Sequence, residues 1–494
     1  MRELSERAGR SITLAGVPRS EFEQWRRFGF TYVWLMGVWG GGPRARELAL
    51  AEPRQRREYS EALPGWQDAD VGGSPYAIAE YRVASALGGP AGLQVFRDNL
   101  HALGLKLLLD FVPNHVGLDH PWLHDRPELF VRSPGPATGF FQQDTVLGPQ
   151  WLAHGKDPNF PAWTDTAQLD YRLPQTRAAM IEQLQTVAAA CDGVRCDMAM
   201  LLLNDVFAKT WERFPTAAPA ARPEQPGRAS VPASPVLRTE FWAEAISAVK
   251  QASPGFLFLA EAYWGLETRL QELGFDYTYD KLLYDSLLAR DPAAVQRYLL
   301  GMTPPALAAS ARFLENHDEP RIASLLTPAE HRAAALLILA LPGMRLLHEG
   351  QLSGAARRTP IQLLRRLSEP ANPDLERMYD ALLTTLANSS VGQGSAELLA
   401  PRPAWTGNPT CEDFVIIEWK ARPPDFDVVV INLAAHPSQC YAPVRIPALS
   451  AQEWSLQDLL GDEHYVRSSA DLQDRGLYLD VAPHSAQLFH FTPL

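Results

Sequence analysis

The sequence predicts an α/β protein whose sheet is mostly parallel, either doubly wound or closed as a (β/α)8 barrel, with an antiparallel β domain at its end. Three observations predict it. Short Leu-rich or β-branched runs alternate with longer helical patterns over the first ~390 residues. The strand runs are continuously apolar rather than alternating, as parallel strands covered on both faces are. From about residue 395 the helical patterns fade into FVIIEW, DVVVINL and LYLDVAPHSAQLFHF, runs separated by turn residues.

In chain order, the expected strands are TYVWLMGV (31–38), LKLLLDFV (105–112), DGVRCD (192–197), FLFLAEA (256–262), FDYTY (275–279), ARFLEN (311–316) and MRLLHE (344–349). Between them RSEFEQWRRFG (19–29), AGLQVFRDNLHALG (91–104), TRAAMIEQLQTVAAA (176–190) and PAEHRAAALLILA (328–340) carry helical periodicity. Residues 116–170 make an aromatic-rich excursion too long for a simple loop, so a small subdomain is expected there. Residues 215–236, rich in Pro and Ala, are expected to be disordered. The domain reading is therefore 1–115 with 171–392, an inserted 116–170, and a β domain over 393–494.

Composition narrows the function. The 494 residues are 46% hydrophobic and 21% charged, ordinary for a soluble globular chain, and the formal charge of −12 repels nucleic acid and anionic membranes. The segment MRELSERAGR has no apolar core, so no secretory signal is read there, and a cytoplasmic protein is expected. The longest apolar run, 333–347, is broken by Pro342 and Gly343 and is too short to span a bilayer. Cys191, Cys196, Cys411 and Cys440 show no C-x-x-C spacing and read as buried free thiols. The sequence leaves the oligomeric state open.

Four expected strands end in acidic residues: Asp110, Asp197, Glu261 and Asp318. FLENHDEPR (313–321) is the extreme case, setting Glu315, Asn316, His317, Asp318 and Glu319 at the end of a buried strand. Neighbouring carboxylates repel one another and resist desolvation, so either solvent or a function maintains such a cluster. In a barrel the C-terminal strand ends share one mouth, where active sites are built.

Taken together, DFVPNH (110–115), DGVRCD (192–197), FLAEAYW (258–264) and FLENHDEPR resemble the four signature regions of the α-amylase family of retaining glycoside hydrolases, family 13. QLDYR (168–172) and SPYAIAEY (74–81) look like two further segments of that family, and the resemblance covers roughly residues 18–494. It implies a (β/α)8 barrel with a subdomain after the third strand and a C-terminal antiparallel β-sandwich. It also implies a retaining α-glycosidase acting on α-linked glucose oligosaccharides or polysaccharide. The alternatives are a transglycosylase or isomerase with the same covalent intermediate, and a non-catalytic amylase-fold binding protein.

Retention needs two carboxyl groups about 5–5.5 Å apart. The resemblance implies Asp197 as nucleophile, Glu261 as acid/base and Asp318 as a third carboxylate steadying the distorted sugar. Glu261 is expected to keep its proton with help from Leu259, Ala260 and Trp264. Arg195, two residues before Asp197 and so on the same strand face, is expected to keep that carboxylate ionised. His115, His317, Tyr76 and Arg321 match substrate-contacting positions. Asp110 is expected to be structural, and Glu315 and Glu319 solvated or ion-paired. Taken singly each residue has a blander reading: an Asp at a strand end is more often a cap or ion-pair partner, and a lone His a satisfied core residue. The joint pattern lifts the set above those readings.

No cofactor is required by this chemistry. Asn114 and Asp170 match positions that hold a structural Ca2+ in many α-amylases, with plain hydrogen bonding as the alternative. Two departures stand out. Met200 and Leu201 occupy places where starch-degrading members carry Lys and His, and only SITLAGV (11–17) could serve as the family's first strand.

Overall fold

The computed structural model describes residues 1–214, 239–446 and 453–494. The Pro/Ala-rich stretch 215–236 lies outside the described residues. The chain divides into two compact units: Met1–Arg26, Phe30–Thr278 and Thr359–Leu367 in the first, and Arg27–Gly29, Tyr279–Arg358 and Ser368–Leu494 in the second.

In the first unit, β1 (Tyr32–Leu35), β2 (Lys106–Phe111), β3 (Gly193–Cys196), β4 (Leu257–Ala260) and β5 (Tyr277–Tyr279) are neighbours in that order and pair in parallel. Their residues explain the choice: Leu107, Leu108, Leu109, Val194, Phe258 and Leu259 are all buried, as strands covered on both faces require. The helices Gly89–Ala102 and Pro174–Ala190 each carry Pro in the first turn, where its missing N–H costs nothing. They bury Phe96, Leu100, Met180 and Leu184 in the same core.

Before β1, the expected strand SITLAGV is a single 3-10 turn, Leu14–Gly16. Ile12, Leu14 and Val17 are buried, but Pro18 follows at once and no ladder forms. Seven parallel strands, not eight, are found among the described residues. The excursion 116–170 does have its own structure. His115–Gly117 pairs antiparallel with Thr166–Gln168, and a three-stranded sheet has the order Arg132–Ser133, Gln150–Ala153, Phe140–Gln143.

In the second unit β6 (Ser310–Arg312) pairs in parallel with β7 (Met344–Arg345), and the Asp280 N–H donates to the Ala311 carbonyl at 2.9 Å. The helix Pro328–Ala340 starts at Thr327, whose side chain accepts from the Glu330 N–H while Glu330 returns the bond, a capping box with Pro following. From Ala333 to Ala340 that helix is apolar all round because that stretch is buried. Among the described residues no helix is long and apolar enough to cross a membrane.

The C-terminal strands β8 (Ser395–Leu399), β9 (Phe414–Arg422), β10 (Asp425–Asn432), β11 (Glu453–Asp458), β12 (His464–Ser468) and β13 (Ala486–Pro493) form an antiparallel sheet in the order β8-β9-β10-β13-β11-β12. A second sheet has the order Arg402–Pro403, Ser438–Ala442, Leu477–Val481. Phe414, Val428, Trp454 and Phe489 of the first sheet share a core with Cys440, Leu477 and Leu479 of the second, so the two pack face to face as the expected sandwich. All four cysteines are buried and free.

Candidate active site

The register of β2, β3 and β4 builds the first unit's acidic cluster. Cys196 is paired with Phe111 on one side and Ala260 on the other. The Asp197 N–H bonds the Phe111 carbonyl at 2.9 Å, and the Glu261 N–H bonds the Cys196 carbonyl at 3.0 Å. Asp197 and Glu261 therefore leave adjacent parallel strands at one level. Arg195, paired with Asp110 and Leu259 and two residues before Asp197, shares the Asp197 face.

Arg195 is fully buried and gathers three carboxylates. Its Nη1 lies 2.7 Å from Asp197 Oδ1 and 3.8 Å from Asp110 Oδ1, and its Nη2 lies 2.8 Å from Glu261 Oε2. Asp197 and Glu261 thus face the two neighbouring nitrogens of one guanidinium. The rings of Trp34 and Tyr76 flank that guanidinium, 5.5 and 5.3 Å from its central carbon, a cation–π setting. Asp110 has the structural place expected of it, accepting from Trp34 Nε1 and the Gly37 N–H at 3.2 Å each.

The surroundings of Glu261 differ from the expected apolar pocket. Its Oε2 accepts the Met198 N–H at 2.8 Å, and its Oε1 accepts the Tyr263 hydroxyl at 2.9 Å. Trp264 is 44% exposed and stands in the left-handed region with φ 67°. That conformation is strained for a bulky side chain and turns Trp264 outward, whereas its neighbour Tyr263 packs on the core. Met198 is also left-handed, at φ 42°. Its N–H, the Tyr263 hydroxyl and the Trp34 indole are site contacts that sequence reasoning missed. Only the aromatic richness of FLAEAYW hinted at one of them, Tyr263.

After Asp197, Met200 and Leu201 lie in a 3-10 turn, both buried. The turn is bolted by Trp242 Nε1, which donates to the Ala199 carbonyl at 2.8 Å. The two side chains at the positions that depart from Lys-His are thus part of the core.

His115 is buried, and desolvation pulls its pKa down to about 4, so its imidazole is neutral near pH 7. Its ring stands 5.2 Å from Trp163. The expected calcium pair does not fit a cation. Both oxygens of Asp170 are held by Arg172, at 2.8 Å from Nε and 2.7 Å from Nη2, and Asn114 Oδ1 accepts from Gln168 Nε2 at 3.0 Å. A carboxylate already neutralised by a guanidinium is a poor ligand for a hard cation. Among the described residues no group of three or more His, Cys, Asp or Glu is arranged to hold a metal.

In the second unit, FLENHDEPR separates into two roles. Glu315 is buried: Arg321 Nη1 meets its Oε1 at 2.6 Å, and the Ile322 N–H donates to its Oε2 at 2.7 Å. Burial alone would raise its pKa, but His348, Arg321 and that N–H outweigh burial and lower it. Arg321, expected to contact substrate, faces inward instead. It is 4% exposed, and its Nη1 also donates to the Glu349 carbonyl at 2.7 Å. Asn316 Oδ1 accepts the Asp318 and Glu319 N–H groups at 2.9 Å each, turning the chain. Asp318 has a side chain 41% exposed, 3.0 Å from His317 Nε2, and Glu319 pairs with Lys281 at 3.3 Å.

The carboxylate pair on one buried guanidinium lies at the C-terminal ends of parallel strands, the end at which active sites of barrels are built. The model of the α-amylase catalytic domain matches residues 66–368, and the chain belongs to the α-amylase family. It is 23% identical over 372 residues to the α-amylase MalA of Haloarcula japonica, an alignment covering 74% of this chain and 48% of that one. A probable oligo-1,6-glucosidase of Bacillus subtilis is 26% identical over 144 residues, 26% of either chain. The chain spans about half the length of the curated relatives that it matches most extensively. Among solved structures, an α-amylase of Geobacillus thermoleovorans complexed with acarbose shares the fold at TM-score 0.64 and 18% identity, covering 97% of this chain and 92% of that one. A maltogenic α-amylase of Thermotoga neapolitana does so at TM-score 0.66 and 17% identity, covering 96% and 94%. The fold class is the (β/α)8 barrel with a C-terminal antiparallel β domain.

Proposed function

We propose that the chain is a retaining α-glycoside hydrolase acting on α-linked glucose oligosaccharides or α-glucan. One observation carries the reading: the register of β3 and β4 sets Asp197 and Glu261 side by side, with Arg195 at 2.7 and 2.8 Å from them. Family membership supports the same chemistry.

In this reading Asp197 Oδ attacks the anomeric carbon as the glycosidic bond breaks, and Glu261 delivers its proton to the leaving oxygen. A covalent glycosyl-enzyme results. Glu261, now a carboxylate, takes a proton from water, whose oxygen displaces Asp197 and restores both groups. Arg195 holds Asp197 ionised and correctly turned. Asp318, by its motif, takes the role of third carboxylate, with His115, His317 and Tyr76 as sugar contacts. The exposed ring of Trp264, three residues past Glu261, offers the leaving-group sugar a face where the buried Met200 and Leu201 offer none.

Initial rates on an aryl α-glucoside and a maltooligosaccharide panel test the reading. Asp197→Asn is expected to lower kcat by several orders of magnitude with the melting temperature little changed. Equal rates for variant and parent would remove Asp197 from the reaction. Products longer than the input would favour the transglycosylase reading of the same intermediate.

A further inference from the structure

Glu261 is held at both of its carboxyl oxygens, and the two are held by different chemistry. Oε2 lies 2.8 Å from Arg195 Nη2 and accepts the Met198 N–H at 2.8 Å. A guanidinium and a backbone N–H only donate, so neither can turn round to accept a proton from that oxygen. Oε1 instead meets the Tyr263 hydroxyl at 2.9 Å, a group that donates or accepts by rotating about its C–O bond.

The backbone keeps this arrangement in place. The Ala199 N–H donates to the Glu261 carbonyl at 3.0 Å, and the Glu261 N–H donates to the Cys196 carbonyl at 3.0 Å. The main chain of Glu261 is therefore tied on both sides to the segment that carries Asp197. Of the four left-handed non-glycine residues among the described residues, Met198 donates to this carboxyl group, and Trp264 directly follows the tyrosine that also does. Such backbone persists where its surroundings over-determine it, as they do at reaction sites. Between the strand end and the outward Trp264, Tyr263 is half-buried and packs against the core, so its hydroxyl is presented from a supported ring.

We propose that Tyr263 is a positioning residue for the acid step, fixing Oε1 as the oxygen that carries the proton of Glu261; the step itself rests on the hydrolase reading above. With Glu261 protonated, the Oε1–H group donates to the Tyr263 oxygen. When a glycosidic oxygen takes that place, the Oε1–H bond breaks and the proton bonds to the leaving oxygen. The electron pair of the glycosidic bond passes to that same oxygen. The Tyr263 hydroxyl then rotates and donates to the new carboxylate, and it releases Oε1 again when water delivers a proton there. Tyr263 keeps its own proton throughout. The other charged groups have fixed parts: Arg195 keeps Oε2 unprotonated, and Asp197 and Asp110 share its guanidinium at 2.7 and 3.8 Å. A hydroxyl that only braced the loop would serve every substrate equally. One that steers the proton matters in proportion to the leaving group's need for it.

Values of kcat/KM, which report the steps up to glycosidic cleavage, test this role on two substrates. Maltotriose has an alcohol leaving group that needs the proton, whereas the fluoride of α-maltosyl fluoride needs far less help. Tyr263→Phe keeps the ring and removes the hydroxyl. It is expected to melt within a few degrees of the parent, to lose roughly thirtyfold on maltotriose, and to lose several times less on the fluoride. Tyr263→His, whose ring nitrogens again donate and accept, is expected to move the ratio of the two values back towards that of the parent. Equal losses on both substrates, no loss on maltotriose, or a His variant no better than the Phe variant would each overturn the role. So would a Phe variant that does not fold, because the hydroxyl would then belong to the scaffold. A parent that turns over neither substrate would remove the hydrolase reading and this role with it, a result distinct from all the others.

Discussion

Two buried arginines, one in each unit, are both held by carboxylates, yet they sit in opposite kinds of site. Arg321 pairs with the single buried carboxylate Glu315, and its remaining bonds go to His348 and a carbonyl. Arg195 has three carboxylates within 3.8 Å, two of them at strand ends. A one-to-one buried pair neutralises itself and holds a loop in shape. A guanidinium shared by three carboxylates concentrates negative charge beside a positive one, an arrangement suited to a reaction with developing charge. In the proposed reading, the ratio of partners, more than burial, separates the reacting cluster around Arg195 from the loop-holding pair at Arg321.

That contrast can be broken by the paired substitutions Arg195→Met and Arg321→Met. Each removes one side of a buried ion pair, and each is expected to destabilise by roughly 3–5 kcal/mol in denaturant titrations. Only Arg195→Met should also abolish turnover per folded molecule. Comparable residual activity in both variants would mean that the charge ratio has no functional content.

A smaller effect is expected from buried histidines. His115, His120 and His331 are all pulled to pKa values of about 4 by burial, against 6.5 unfolded. Because the unfolded chain binds the extra protons, stability is fully present above pH 6.5 and falls as pH drops from 6.5 towards 4. His331, bonded to the Tyr379 hydroxyl at 2.8 Å, contributes up to about 2–3 kcal/mol of that loss. His331→Gln should flatten part of the melting-temperature decline over this interval, and an unchanged decline would rule out its titration as a cause.

The smallest effect expected is at Trp264. Trp264→Gly relieves a left-handed conformation and should stabilise by about 0.5–1 kcal/mol, while raising KM for long maltooligosaccharides more than for short ones. A destabilised variant with unchanged KM would show that the ring serves packing instead.

The carboxylates around Arg195 were legible in the sequence because strand, motif and acidic residue coincide at Asp110, Asp197 and Glu261. Strand lengths were less so. ARFLEN and MRLLHE shorten to Ser310–Arg312 and Met344–Arg345. Beyond those ends, the side chains of Glu315 and His348 and the carbonyl of Glu349 join the Arg321 network, an outcome that an apolar run cannot signal. SITLAGV failed for a related reason: Ile12, Leu14 and Val17 are buried as turn residues as readily as strand residues would be. The Met198 N–H and the Tyr263 hydroxyl depend on loop conformation and cross-strand level, which emerge only from the folded register. The calcium expectation was carried by Asn114 and Asp170 alone, and Arg172, two residues on, takes the carboxylate.

The most direct measurement is mass-spectrometric mapping of the trapped intermediate. A Glu261→Gln variant treated with an activated 2-deoxy-2-fluoro-α-glucosyl donor should gain one glycosyl unit, located by peptide mapping on Asp197. A label on any other side chain, or a donor consumed by the parent with no adduct in the variant, would contradict the assignment of this carboxylate as the nucleophile.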